Sequence, residues 1–186
     1  SILLREGQSR RVSAVMRDGL ATIYSGLSER AWETSKVGKA MRYESLFVAT
    51  YSEFWNGWSA GDMPPYVAMN VAGYLADHGG EMRRVREFYD EVRVRGILSE
   101  QIQADLGLGG LLVGAGEDLE DAQRLLKEVI LRDEYGGKAR EEAYLFLGQY
   151  LKGAAYWKKL EKLSREYLDD DRQNVTYRAE FAYFLA

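Results

Sequence analysis

The chain has 186 residues, of which 46% are apolar, 12% aromatic and 29% charged; that balance excludes a disordered polypeptide and is enough chain for one domain with a sizeable core. A net charge of −4 argues against a nucleic-acid binder, which usually carries a basic stripe. Cysteine is absent, which excludes disulfides and thiol catalysis, and no apolar run approaches the roughly 20 residues that span a bilayer.

The only two prolines are adjacent, Pro64 and Pro65. Good helix formers dominate and alternating β-branched runs are missing, so the expected fold class is all-α. The chain opens at Ser1 directly into Ile2, Leu3 and Leu4, and closes on Phe181-Ala182-Tyr183-Phe184-Leu185-Ala186. No signal-peptide pattern is visible. Both ends read as cut, which leads to the expectation of a mature form or a piece of a longer protein. The compartment stays open between cytoplasmic and secreted or periplasmic.

In chain order, residues 3–26 read as a helix with Leu4, Val12, Val15, Met16, Leu20, Ile23 and Tyr24 on one face. Arg5, Arg10, Arg11 and Arg17 give it a basic side: either a solvated face or a contact for an acidic partner. Ser28 is placed as the N-cap of a second helical stretch that runs to Trp58, with a break near Thr34 to Gly38. Its second half carries an aromatic stripe, Phe47, Tyr51, Phe54, Trp55 and Trp58, at helical spacing. This stripe is either core packing or an aromatic wall for a ligand.

Gly61-Asp62-Met63-Pro64-Pro65 is the clearest break, with Pro65 suited to a helix first turn. Helices are then expected over 66–78 and 81–95, joined at His78-Gly79-Gly80. Further helices are expected from Ser99, as a cap, to about Val113, over 118–134, 139–151 and 155–168, and from Asn174 to Ala186. Gly73, Gly110 and Gly148 recur 37 and 38 residues apart, each in the middle of a first helix. Behind them come Val85, Ala122 and Leu160, then Tyr89, Leu126 and Ser164, then Val92, Val129 and Tyr167. A period of this size marks a helical repeat array. The expected layout is a single domain, 1–186. An N-terminal helical hairpin covers 1–62, three helix pairs cover 65–171, and a capping helix or the start of a further repeat covers 173–186.

These residues resemble the tetratricopeptide repeat. The match rests on Gly73, Gly110 and Gly148 at the eighth position, then Met82, Leu119 and Trp157, then Val85, Ala122 and Leu160. The third unit, with Tyr144, Leu147, Gly148, Leu151, Trp157 and Leu160, fits best. The family's period is about 34 residues, shorter than here, and the proline that ends each family unit is missing. The resemblance implies a right-handed α-solenoid of antiparallel helix pairs. It implies a non-catalytic protein–protein interaction scaffold, adaptor or assembly factor. First helices would line a groove through Asn70, Tyr74, His78, Leu108, Leu111, Leu145, Phe146, Gln149 and Lys152.

That lining is aromatic and aliphatic, so the expected occupant is an apolar or helical segment, from a protein or peptide partner or from the chain's own N-terminal hairpin. The alternative function is a small-molecule or lipid-binding helical protein using the stripe from Phe47 to Trp58. A third reading is a hydrolase whose carboxylates meet only in the fold. No catalytic residue, cofactor or metal is assigned. His78 precedes Gly79-Gly80 and reads as a helix-terminal residue, favoured there by the dipole. The glycine-rich run from Leu106 to Gly116 lacks the Lys-Ser/Thr of a phosphate loop. Asp169-Asp170-Asp171 does not match a calcium loop. Apolar Phe181, Tyr183, Phe184 and Leu185 lead to the expectation of a homodimer through the last helix. Neither a nucleic-acid partner nor a membrane span is expected.

Overall fold

The computed structural model describes residues 2–133 and 138–153, together with 158–159, 162–163 and 165–166. Among them are seven α-helices, one 3₁₀ turn and no strand, so the all-α expectation holds. The helices are α1 (Ile2–Glu33), α2 (Val37–Gly57), α3 (Pro65–Asp77), α4 (Met82–Arg95), α5 (Leu98–Ala115), α6 (Leu119–Arg132) and α7 (Lys138–Gly153). The chain divides into two compact units, Ser1–Gly96 and Ile97–Ala186. Of the expected helix over 155–168 only 158–159, 162–163 and 165–166 are described, and these are helical; the turn at Gly136-Gly137, the acidic run at 169–171 and the last helix with its dimer contact lie outside the described residues.

Three helix ends close in the same way. Gly116 takes φ +69°, its N–H bonds the Val113 carbonyl and the Glu117 N–H bonds that of Leu112. Gly79 takes φ +75° while the Gly80 N–H bonds the Leu75 carbonyl. This is the Schellman termination, in which glycine meets no side-chain penalty in the left-handed region. Ser35 does the same work at φ 55°: its N–H bonds the Trp32 carbonyl and the Lys36 N–H bonds that of Ala31. A serine side chain is strained there, so Ser35→Gly is expected to stabilise the protein by about 0.5–1 kcal/mol, read as a raised denaturant midpoint.

In the first unit α1 and α2 form a hairpin: near the turn Ser28 meets Ala40 and Trp32 meets Glu44, and farther from it Asp18 meets Tyr51. The expected break at Thr34 to Gly38 is the turn at Thr34–Lys36. One sequence expectation is corrected here. Ser28 caps nothing: α1 runs through it, and its buried hydroxyl donates to the Ala40 carbonyl at 3.2 Å. The buried face of α1 is not the apolar stripe but Ala14, Asp18, Ala21, Ser28 and Ala31. Val12, Met16, Leu20 and Ile23 are 60%, 70%, 42% and 58% exposed. Alanines let two helix axes approach closely, and the polar pair is satisfied by hydrogen bonds across the seam, so close fit outweighs side-chain bulk.

Pro65 begins α3 at its first turn, as expected. The turn before it is held by cations: Arg95 donates to the Gly61 and Met63 carbonyls at 3.1 and 3.2 Å, Arg84 to the Trp58 carbonyl, and Arg10 meets Asp62 at 3.2 Å. Behind it, Val67, Val71 and Leu75 of α3 and Val85, Phe88 and Val92 of α4 are fully or almost fully buried.

In the second unit α5 begins at Leu98, not at a Ser99 cap; the Ile97 N–H donates to the Glu100 carboxylate at 2.9 Å instead. The burial pattern of α3–α4 recurs in α5–α6. Val85, Phe88, Tyr89 and Val92 are the buried set of α4, and Ala122, Leu125, Leu126 and Val129 that of α6, each 37 positions on. Val67, Ala68, Val71, Ala72 and Leu75 correspond in the same way to Ala104, Asp105, Leu108, Gly109 and Leu112. Glycine does different work at the repeating positions. A Cβ on Gly73 would meet nothing, whereas one on Gly110 would come within 2.7 Å of the Phe146 ring of α7. Close approach of α5 to its own partner helix falls instead on Gly109, where a Cβ would lie 2.8 Å from Leu126.

Candidate functional site

The residues assigned to a groove divide between the units. In the first, the chain's own hairpin covers them. Tyr74 is only 9% exposed; its ring stacks on Tyr51 at 4.7 Å and on His78 at 4.1 Å, and meets Phe47 edge-on at 5.4 Å. Asn70 donates to both oxygens of buried Asp18, at 3.0 and 3.2 Å. The Tyr51 hydroxyl donates to the same carboxylate at 2.9 Å. Burial, then the nearby Asp18 charge and its hydrogen bond, push the Tyr51 phenol upward, and burial pushes up Tyr74 as well. Both therefore stay protonated at neutral pH. Of the two occupants open at the sequence level, the N-terminal hairpin sits on these α3 residues.

In the second unit Leu108 is fully buried, while Leu111, Leu145 and Phe146 are half-buried, the last two packed against the core of α5, α6 and α7. Gln149 and Lys152 are exposed. Of the aromatic stripe, Phe47 and Tyr51 join the cluster around Tyr74. The side chains of Phe54 and Trp55 lie outside the described residues, and so does that of Leu4. His78 fits its helix-end reading: Nδ1 lies 2.8 Å from the Tyr74 carbonyl, so that nitrogen carries the proton and donates. Leu106 to Ala115 are helical, so that run forms no phosphate loop.

Concave sites remain open among the described residues. On the outer side of the α1–α2 hairpin, Met16, Leu20 and Tyr24 of α1 face Leu46 and Ala49 of α2 across a groove of about 530 Å³, with Arg17, Ser13 and Thr50 at its margin. Sequence reasoning named Met16, Leu20 and Tyr24 as sharing one face of this helix and did not say what that face meets. The signal for exposure was the alanine series on the opposite face. A cavity of about 350 Å³ lies where α1, α2 and the end of α3 meet, lined by Ser25, Ser28, Glu29, Trp32, Glu44, Phe47, Val48 and His78. In the second unit, a groove of about 470 Å³ is lined by Ile130, Leu131, Tyr144, Leu147, Leu151 and Leu163 together with Lys127, Lys159 and Lys162. Among the described residues no group of histidines and carboxylates could hold a metal, and no helix is long and apolar enough to cross a membrane.

Comparison with protein-family models, with curated proteins and with solved structures returns no match. The functional reading therefore rests on geometry.

Proposed function

We propose that the protein is a non-catalytic interaction scaffold, a degenerate tetratricopeptide-like array of helix pairs that takes an apolar, helical segment of a partner protein. The array reading is supported by the burial register shared by α3–α4 and α5–α6. The binding reading is carried by one observation, the exposed row Val12, Met16, Leu20 and Ile23 on α1 beside the α1–α2 groove. Four large apolar side chains at helical spacing, open to water, are what a helix-in-groove partner covers. Exposed Arg11 lies beside the row on the same helix. The matching segment therefore carries an apolar face edged by carboxylates.

The partner site moves to this outer face because Tyr74 and Phe146 are spoken for. A glutamate at either would act on packing rather than on a free surface. The test is a photo-crosslinking residue at Leu20 in the source cell, compared with the same probe in a Met16→Glu background. The expected result is an adduct on one apolar helical segment of another protein, abolished by Met16→Glu. The melting temperature should stay unchanged, since Met16 is exposed. Adducts only with second copies of this chain would reassign the face to self-association. No adduct would remove the reading.

A further inference from the structure

The cavity between α1, α2 and the end of α3 plays no part in that reading, and its chemistry is one-sided. Its polar lining consists of acceptors and hydroxyls: the Glu29 and Glu44 carboxylates, His78, Ser25 and Ser28. No lysine or arginine lines it. Its one indole N–H is committed, because Trp32 donates to Glu44 Oε1 at 2.6 Å. The Ser28 hydroxyl approaches the same oxygen at 3.3 Å. Glu44 is thereby held through Oε1 by the Trp32 indole, since the single Ser28 proton goes to the Ala40 carbonyl, and Oε2 is left over. Glu29 takes part in no hydrogen bond or ion pair among the described residues. His78 uses Nδ1 on the Tyr74 carbonyl, so its other ring nitrogen, Nε2, is left over. The remaining walls are the Trp32 and Phe47 rings and Val48.

This composition discriminates between ligand classes. An anion would meet two carboxylates and no free N–H. A purely apolar ligand would meet only the Trp32, Phe47 and Val48 walls and leave both exposed carboxylates unanswered. A cation with an apolar stem gains on every wall: charge-assisted hydrogen bonds to carboxylate, and attraction to the π faces of Trp and Phe. We propose that this cavity is a binding site for a small alkylammonium ligand, with Glu44 and Glu29 as the anionic partners and Trp32 and Phe47 as the aromatic walls. The site is distinct from the outer groove of the hairpin, so either can fail without the other.

The test is titration of the intact protein with 1,5-diaminopentane and with tetramethylammonium, followed through the Trp32 indole N–H resonance. Pentanoate and 1-pentanol serve as matched anionic and neutral controls. The expected result is a saturable shift with both cations, little response to either control, and affinity weakened about tenfold in Glu44→Gln. Glu29→Gln is the second variant; it breaks no contact within the fold, and is expected to weaken binding with an unchanged melting temperature. Equal responses to pentanol or pentanoate would overturn the proposal. So would cation binding that survives both substitutions, or no saturable shift at all.

Discussion

Leu126→Ala is expected to destabilise the protein by about 2–5 kcal/mol, measured by urea unfolding. Leu126 is fully buried in the core shared by α5, α6 and α7, so truncation leaves a cavity rather than a solvated notch. The same residue decides what happens at Gly109. There a Cβ would lie 2.8 Å from Leu126 Cγ and 2.9 Å from Cδ2, closer than packed carbons tolerate. Gly109→Ala alone is therefore expected to destabilise, because a strain of about 1–3 kcal/mol exceeds the roughly 1 kcal/mol that alanine gains over glycine within a helix. In the Leu126→Ala background the clash is gone and the new methyl enters the cavity, so the same substitution should become stabilising. A change of sign between the two backgrounds is the outcome that a direct contact requires. Additive effects would show that α5 and α6 do not meet at these atoms. Gly73→Ala provides the contrast: nothing stands near its Cβ position, and it is expected to stabilise by about 1 kcal/mol in either background.

Asp18→Ala should cost about 2–4 kcal/mol, since it removes the one acceptor that ties α1 to both α2 and α3. Tyr51 is 4% exposed and would keep a buried hydroxyl without a carboxylate to receive it, whereas exposed Asn70 can turn to water. Tyr51→Phe, which removes the hydroxyl together with its need for a partner, is expected to cost less, about 1–2 kcal/mol. Equal losses in the two variants would show that Asp18 acts through Tyr51 alone. The alkaline limb carries the same signature. Because burial and Asp18 raise the Tyr51 phenol in the folded chain, the unfolded state loses its proton first. The stability linked to Tyr51 is then complete below about pH 10 and falls as pH rises beyond it. Tyr51→Phe should flatten that fall, and an unchanged alkaline limb would place its cause elsewhere.

This clasp also explains why part of the anticipated groove is not open. Asn70, Tyr74 and His78 were legible as one face of α3, at positions four residues apart. What lies on that face is set by contacts of Asp18 and Tyr51 across long stretches of chain, and neither residue announces its partner in sequence. Leu108 reads the same way: its face of α5 was legible, its enclosure was not.

Legible in the residues alone were the helical class, the break at Pro64-Pro65, the turn at Gly79, the buried stripe of α6 and, as its counterparts on α4, Val85, Tyr89 and Val92. In those helices one face alone is apolar, so periodicity names the core without knowledge of the neighbour. On α1 two faces compete. Val12, Met16, Leu20 and Ile23 offer more apolar area, yet Ala14, Ala21 and Ala31, with Asp18 and Ser28, are the ones buried against α2. Only the tertiary structure decided between them, because the choice depends on how closely two backbones can approach and on whether Tyr51 and Ala40 stand opposite Asp18 and Ser28 to satisfy them. The same choice leaves the large apolar row facing water, and brings Glu29, Trp32, Glu44 and His78 around one cavity from three separate helices.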